Sequence, residues 1–149
     1  MIRRAEQEDI SKVMEIWQNT NIKAHNFICV DYWKKNYETV ESMMHGAEIY
    51  VYEKEKMICG FVGLMGNYIA GIFVDCAYQS AGIGKALLDY VKRQKEELIL
   101  HVYKKNKGAV KFYLREDFLK EREKVEEENQ ETEYEMRWRR HELGEKSGI

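Results

Sequence analysis

Residue types suited to binding a phosphate group occur in one short loop, Gln79-Ser80-Ala81-Gly82-Ile83-Gly84-Lys85. The loop follows an apolar strand-like segment ending at Val74 and opens an amphipathic, helix-like segment. Free backbone N–H groups at a helix start bind anions, and the helix dipole strengthens the attraction. Gly82 and Gly84 let the backbone approach a phosphate without an intervening side chain, and Lys85 adds a positive charge.

The loop alone does not identify the phosphorylated ligand. A plain turn between a strand and a helix explains a single G-x-G pair as well, since glycine is common in such turns. The third glycine of a dinucleotide-binding fingerprint is missing, because position 87 is leucine, and the Walker pattern is absent. A second motif is therefore needed to choose among these alternatives.

A second motif contains a candidate proton donor. Asn106 stands seven residues before Tyr113, with Ala109 between them, in a segment that reads as a short helix. A tyrosine phenol with a pKa of about 10 is protonated at neutral pH and can donate a proton. The alternative is that Tyr113, one of ten tyrosines, only packs on this helix.

A candidate proton acceptor precedes this motif. His101 lies between Leu100 and Val102 on a predicted strand, so its side chain should point to the opposite face of the sheet from both. Histidine can be neutral near pH 7 and accept a proton directly or through water. A hydrogen-bonded histidine on a central strand explains the same position, and both interpretations stay open.

The composition excludes several classes of function. The net charge is −2, from 24 basic and 26 acidic residues, and the basic residues are dispersed, so no nucleic-acid partner is expected. No apolar run approaches the ~20 residues that cross a bilayer, and no signal segment is evident, which predicts a cytoplasmic protein without a membrane partner. Cys29, Cys59 and Cys76 lack a C-x-x-C spacing, so neither a disulfide framework nor a metal site is predicted.

Apolar periodicity predicts the scaffold that must position these residues: one domain over 1–140, followed by a polar tail at 141–149. The predicted strands are 1–4, 47–53, 57–65, 68–74, 98–103, 118–125 and 133–139. The predicted helices are 6–20, 31–44 with Asp31 as its N-cap, 83–95 and 109–114, with 21–31 irregular. Hairpins and helical crossovers in this order indicate a mixed α/β fold with one mixed sheet and helices on both faces.

The two motifs together resemble those of the GCN5-related N-acetyltransferase (GNAT) family. The central motif of that family, Q/R-x-x-G-x-G/A, follows a strand that ends in an apolar-x-Val pattern, as the run from Gln79 to Gly84 does here. Family members commonly carry N-x-x-A-x-x-x-Y after the next strand, which matches Asn106 and Tyr113. The resemblance covers residues 2–139 and extends to small bacterial members of the YiaC and YjaB type.

The sequence departs from the family pattern at two positions. Cys76 replaces the usual proline in the loop after the fourth strand, which should loosen that loop slightly. Asp117 replaces the usual glycine before Phe118, so the turn after Tyr113 is expected to differ. Neither change removes a group that binds the cofactor.

The resemblance implies an N-acetyltransferase that moves the acetyl group of acetyl-CoA directly to an amine, on a small molecule or a protein lysine. It implies a mostly antiparallel sheet in which the strand ending at Val74 and the parallel strand 98–103 splay apart around the pantetheine arm. A monomer or a homodimer without a metal is expected. The alternative is a CoA- or acyl-CoA-binding regulatory module without turnover, although the presence of both Asn106 and Tyr113 favours the enzyme.

The resemblance also implies a role for individual residues. Tyr113 matches the family's general acid, and His101 stands where many relatives carry a glutamate, five residues before Asn106. Phe73 would face the acetyl group. Cofactor contacts are implied for Ile72, Phe73, Val74, Gln79, Ser80, Ala81, Gly82, Ile83, Gly84, Lys85 and Asn106, and acceptor contacts for His25, Phe27, Trp33 and Tyr37.

Overall fold

Seven strands and five α-helices make up the described part of the chain, residues 1–79 and 81–140 of a computed structural model. The strands are β1 (Ile2–Arg4), β2 (Glu48–Lys54), β3 (Met57–Met65), β4 (Tyr68–Val74), β5 (Glu97–Tyr103), β6 (Leu119–Glu126) and β7 (Glu131–Arg139). The helices are α1 (Ile10–Ala24), α2 (Val30–Lys35), α3 (Tyr37–Gly46), α4 (Ile83–Lys92) and α5 (Lys107–Arg115). The expectations for Ser80 and for the tail 141–149 lie outside the described residues.

The strands form one sheet in the order β1-β2-β3-β4-β5-β7-β6. Neighbouring strands are antiparallel except β4 and β5, which run parallel and pair only through Tyr68 with Ile99 and Ile69 with Leu100. Beyond Ile69 these two strands separate, so the β4 edge that faces β5 is unpaired within the described residues. The predicted mixed, mostly antiparallel sheet with a splayed parallel pair is confirmed.

Helices cover both faces of the sheet, and a separate apolar core lies between the helices and the sheet on each face. On one face, Ile49 and Val51 of β2 join buried residues of α1, α2 and α3. On the other face, Tyr50 joins buried residues of α4 and α5. Successive strand residues point to opposite faces, so this alternation separates the two cores. Helix α4 buries the apolar stripe that its periodicity predicts, Ile83, Leu87, Leu88 and Val91.

The predicted helix 31–44 is wrong as a single element, because the chain forms α2 and α3 there. Asn36 separates them: its side-chain Nδ2 donates to the backbone oxygen of Tyr32 at 2.7 Å. Asparagine side chains compete in this way with the hydrogen bonds of the helix backbone. The N-cap expected at Asp31 is also wrong, since Cys29 occupies the N-cap position and Asp31 lies in the first turn of α2.

Helix α1 continues to Ala24, through part of the segment that was expected to be irregular. Two buried polar side chains near its end donate to its own backbone: Thr20 Oγ1 to Ile16 O at 2.6 Å, and Asn21 Nδ2 to Trp17 O at 2.8 Å. Buried polar groups need such partners, so these bonds allow the helix to extend into the core. The extension carries the chain close to the centre of the sheet.

The turn after α5 keeps a glycine-like backbone although it lacks the glycine. Asp117 adopts a φ of 73°, in the left-handed region that glycine favours. Aspartate is among the few other residues that enter this region readily. The difference from the family that the sequence predicts for this turn stays a prediction.

The three cysteines are free thiols, with Cys59 buried and Cys29 and Cys76 exposed. No helix within residues 1–79 and 81–140 is long and apolar enough to cross a membrane. Across the same ranges, no group of three or more His, Cys, Asp or Glu side chains is placed to hold a metal ion.

Candidate active site

The loop between β4 and α4 is held by polar contacts at its start and a glycine at its end. Asp75 Oδ1 accepts a hydrogen bond from the backbone N–H of Ala77 at 3.0 Å, and Gln79 Nε2 donates to Val74 O at 3.0 Å. Gly82 has a φ of 79°, a left-handed conformation, at the N-cap position of α4. No side chain caps α4 within the described residues, so its first N–H groups are available to a ligand.

A groove of about 690 Å³ opens from this loop and runs between α4 and α5; we call it the α4–α5 groove. Its lining includes eight residues expected to contact the cofactor: Ile72, Val74, Gln79, Gly82, Ile83, Gly84, Lys85 and Asn106. Two residues of that prediction, Phe73 and Ala81, are not in its lining. Gly108 and Arg115 also line the groove and are not among the contacts expected from the sequence.

Lys85 does not offer an unpaired charge to this groove. Its ammonium Nζ lies 3.1 Å from Glu116 Oε1 and 3.2 Å from Asp89 Oδ2. The hydrogen bond to Glu116, followed by that to Asp89, raises the pKa of Lys85. The guanidinium of Arg115, which lies 5.7 Å from the centre of the Phe112 ring, is a second cation at the groove. The uncapped backbone N–H groups at the start of α4 are therefore the groups of this loop best suited to an anion.

The unpaired edge of β4 forms a wall between this loop and the centre of the sheet. Residues 71–74 pair with β3 on one side only, since β5 leaves β4 after Ile69. An unpaired strand edge can bind an extended ligand through backbone hydrogen bonds, as an added strand. This geometry fits the pantetheine contacts expected for Ile72 and Val74.

A second cavity of about 250 Å³ lies under α1 and α2, over β4, β5 and β7; we call it the central cavity. Four residues line both the groove and this cavity: Ile72, Asn106, Ala109 and Tyr113. The groove lies on the α4 and α5 side of the sheet, and the cavity lies on the α1 side. The splay between β4 and β5 therefore connects two ligand-sized spaces on opposite faces of the sheet.

Two of the four predicted acceptor residues, His25 and Trp33, line the central cavity, together with Phe73. The other two lie behind them. Phe27 packs edge-on against His25, with ring centres 5.6 Å apart, and Tyr37 packs edge-on against Trp17 at 6.4 Å. Phe27 and Tyr37 therefore support the wall of the cavity rather than forming it.

Tyr113 is buried where the two spaces meet. Its ring packs edge-on against Phe112 at 5.2 Å and Phe118 at 5.5 Å. Burial raises the pKa of the phenol above its ordinary value of 10. Tyr113 therefore stays protonated at physiological pH and is a hydrogen-bond donor at the junction.

Comparison with known proteins identifies this arrangement. A family model described as the acetyltransferase (GNAT) domain matches residues 13–139. The chain belongs to the GNAT acetyltransferase family. It is 34% identical over 120 residues to the peptidyl-lysine N-acetyltransferase YiaC of Escherichia coli. The aligned region covers 79% of this chain and 82% of YiaC.

Solved GNAT structures share the fold. The apo form of YjaB from Escherichia coli matches with a TM-score of 0.82 and 23% identity, over 93% of this chain and 96% of that chain. The yncA protein from Salmonella typhimurium, solved with its cofactor acetyl-CoA, matches with a TM-score of 0.64 and 15% identity, over 93% of this chain and 92% of that chain. The family model and the sequence match to YiaC, together with the fold shared with YjaB, confirm the resemblance to YiaC- and YjaB-type GNAT proteins.

Asn106 joins the two halves of this GNAT site. Its Oδ1 accepts the backbone N–H of Ala109 at 3.3 Å and so caps α5, the helix that carries Tyr113. Its Nδ2 lies 3.0 Å from His25 Nε2, at the end of α1. Burial lowers the pKa of His25, so the ring is neutral at physiological pH and Nε2 can accept this bond. The side chain of Asn106 thus orients α5 against the wall of the central cavity.

His101 faces the central cavity, away from Leu100 and Val102 in the core, as alternation along the strand predicts. Both ring nitrogens have partners: Nδ1 lies 2.9 Å from Tyr68 Oη, and Nε2 lies 3.3 Å from Glu135 Oε1. These contacts favour the hydrogen-bonded interpretation. The role of His101 as the base stays a prediction.

Replacement of Gly82 by alanine is expected to raise the KM for acetyl-CoA about tenfold with little change in kcat. An L-residue at the φ of Gly82 costs roughly 1–2 kcal/mol, so the loop shifts away from its ligand-binding conformation. Steady-state kinetics measure the change. Gly46→Ala is the control, since Gly46 ends α3, its added Cβ meets no atom within 4 Å and its φ is not in the left-handed region. Equal KM values for the two variants would contradict the prediction.

Proposed function

We propose that the protein transfers the acetyl group of acetyl-CoA directly to a lysine side chain of a protein or peptide. The observation that carries the proposal is the junction at Tyr113, where the α4–α5 groove and the central cavity meet through the splayed strands. A groove and a cavity on opposite faces allow donor and acceptor to approach without a covalent enzyme intermediate. The peptidyl-lysine activity in the name of YiaC supports lysine as the acceptor.

In this proposal the chain binds the donor mainly through its backbone. The N–H groups at the start of α4 hold the pyrophosphate, and the unpaired edge of β4 holds the pantetheine arm, with Ile72 and Val74 in the groove wall. The thioester supplies the acetyl group at the junction. A backbone N–H of β4 would stabilise the negative charge that forms on the carbonyl oxygen.

Two protons must move for the transfer to finish. The acceptor enters as an ammonium ion and must lose a proton before its nitrogen can attack. The CoA sulfur must gain a proton as it leaves, and Tyr113 is the buried donor at the junction. His101 is the base that the sequence predicts, and its bonds to Tyr68 and Glu135 support a role in positioning instead.

Acetyl-CoA is expected to raise the melting temperature of the protein by about 5–11 °C at 100 times its Kd. Binding at that excess stabilises the folded state by ~2.7 kcal/mol, and each 1 kcal/mol shifts Tm by about 2–4 °C for a chain of this size. Differential scanning fluorimetry measures the shift, with acetyl phosphate as the control ligand. The absence of a shift at saturating acetyl-CoA would contradict the proposed function.

Acetyl transfer is tested by following CoA release with acetyl-CoA and a panel of lysine peptides, polyamines and amino acids. Transfer to peptide lysines supports the proposal. Transfer restricted to small amines would show that the acceptor is a small molecule and not a protein lysine. A thermal shift with acetyl-CoA but no turnover on any acceptor would favour the second candidate, a regulatory module that only binds CoA.

A further inference from the structure

One carboxylate that lines the central cavity, that of Glu133, takes part in no hydrogen bond or ion pair of the described residues. Glu133 of β7 is half-buried and lines the cavity, yet its side chain has no hydrogen-bond or ion-pair partner within residues 1–79 and 81–140. Its neighbours on the same side of the strand are paired: Glu131 lies 3.2 Å from Lys105 Nζ, and Glu135 lies 3.1 Å from Arg122 Nε. Placing a carboxylate in a partly dry cavity without a partner costs free energy. Such a group is suited to a cationic ligand.

The register of the sheet directs Glu133 towards the cavity. In the antiparallel ladder Tyr103 of β5 pairs with Glu133 and His101 pairs with Glu135, so all four side chains share the face covered by α1 and α2. Tyr113 reaches the same cavity through the gap between β4 and β5. The cavity therefore has a carboxylate and a neutral phenol in its wall.

The charged and titratable groups around Glu133 come from four elements. They are His101 and Tyr103 of β5, Tyr68 of β4, Tyr32 of α2, and Lys124 and Glu126 of β6. Burial raises the pKa of Glu133, and the neighbouring His101 and Lys124 oppose this effect. A partly buried carboxylate of this kind holds a proton more strongly than an exposed one.

The remaining walls of the cavity are aromatic. The His25 ring stacks on Trp33 with centres 5.4 Å apart and meets the Tyr103 ring edge-on at 5.1 Å. Aromatic faces attract cations and pack well against alkyl chains, and a carboxylate pairs with an ammonium group. The combination fits a primary ammonium on an apolar stem. An amine with its own carboxylate beside it would be repelled by Glu133.

We propose that Glu133 binds the ammonium group of the acceptor lysine and removes its proton before attack on the thioester. The inference rests on the proposed function and names the base and the acceptor class of that same site. His101, with Tyr68 and Glu135 on its two ring nitrogens, acts as a positioning residue in the cavity floor.

The proton balance of the reaction closes with these groups. The Glu133 carboxylate takes one proton from R–NH3⁺, and the nitrogen lone pair of R–NH2 forms the C–N bond at the acetyl carbon. The C–S bond then breaks, and the CoA sulfur takes the proton of the Tyr113 hydroxyl. The second nitrogen proton restores that hydroxyl, directly or through water. One proton per turnover leaves the site from Glu133 to solvent.

The decisive experiment is the pH profile of kcat/KM for Glu133→Gln, measured with acetyl-CoA and a lysine peptide whose α-amine is acetylated. We expect kcat/KM for the peptide to fall about a hundredfold at neutral pH, within the range for loss of a general base. The wild-type rate falls as the pH drops through the raised pKa of Glu133, because the base must be unprotonated. Glutamine does not titrate, so this fall should vanish in the variant.

Two further variants separate this role from general effects. Glu127→Gln removes the same charge at an exposed position of the turn between β6 and β7, and it should leave the rate and the pH profile unchanged. His101→Gln should lower kcat while keeping the fall in rate at low pH. An unchanged acetyl-CoA thermal shift in Glu133→Gln shows that the variant is folded and binds the donor.

Three results overturn the inference. A Glu133→Gln enzyme within threefold of the wild-type kcat/KM removes Glu133 from the mechanism. Loss of the low-pH fall in His101→Gln but not in Glu133→Gln assigns the base to His101. If the wild-type protein acetylates no lysine peptide, both the proposed acceptor class and this inference are wrong. Because this result comes from the wild type alone, it is distinguished from a failure of the Glu133 role.

Discussion

Tyr113→Phe is expected to lower kcat about a thousandfold while leaving the KM for acetyl-CoA within about twofold. The variant keeps the ring that packs against Phe112 and Phe118, so only the hydroxyl at the junction of the two spaces is lost. Without that proton donor the CoA sulfur must leave as a thiolate. Loss of general acid catalysis typically lowers the rate by roughly 10²–10⁴-fold. Single-turnover kinetics at saturating acetyl-CoA measure the chemical step directly.

A matched variant makes the Tyr113 result specific. Tyr52→Phe removes a phenol hydroxyl on β2, outside the linings of the α4–α5 groove and the central cavity, and should leave kcat unchanged. Burial raises the pKa of Tyr113, so the wild-type kcat should show no loss from ionisation of this phenol up to pH 10. A Tyr113→Phe enzyme with a kcat within threefold of the wild type would show that the thiol is protonated by another group.

Local sequence patterns, read together with the family resemblance, predicted most of the residues that line the α4–α5 groove. Each feature that predicted this groove lies within a short continuous segment of the sequence. These features are the loop from Gln79 to Lys85, the apolar stripe of α4, and the spacing between Asn106 and Tyr113. Their geometry depends on backbone periodicity and helix capping, which the sequence shows directly. Most of the α4–α5 groove could therefore be predicted, although Lys85 is engaged by Glu116, a residue distant in sequence.

The acceptor half depends on contacts between distant segments, which the sequence does not show. Glu133 is the first residue of the predicted strand 133–139, and its pairing with Tyr103 is what places it at the cavity. Phe27 and Tyr37 are aromatic residues in the expected region, but the break at Asn36 and the extension of α1 leave them behind the cavity wall. Register and helix breaks decide which of several similar side chains reach a cavity.

The core that α4 forms with the sheet supports the loop proposed to bind the phosphates of the donor. Leu87 on α4 is fully buried in the core that α4 and α5 form with the sheet. The same helix presents its N-terminal N–H groups to the α4–α5 groove four residues earlier in the chain. Stability of this core and binding of the donor should therefore be linked, because loosening α4 would also loosen the proposed binding site for the donor phosphates.

Leu87→Ala is expected to lower the free energy of unfolding by about 3 kcal/mol, because it removes fully buried methyl groups and leaves a cavity in the core. The corresponding fall in Tm is about 6–12 °C for a chain of this size, and urea unfolding followed by circular dichroism gives the free energy itself. Leu119→Ala is the matched control, since Leu119 on β6 is 57% exposed and its truncation should cost less than about 0.5 kcal/mol. Acetyl-CoA should recover part of the lost Tm in Leu87→Ala, because binding to the start of α4 favours the folded helix. Equal losses in the two leucine variants would contradict the assignment of α4 as the helix that supports the donor site.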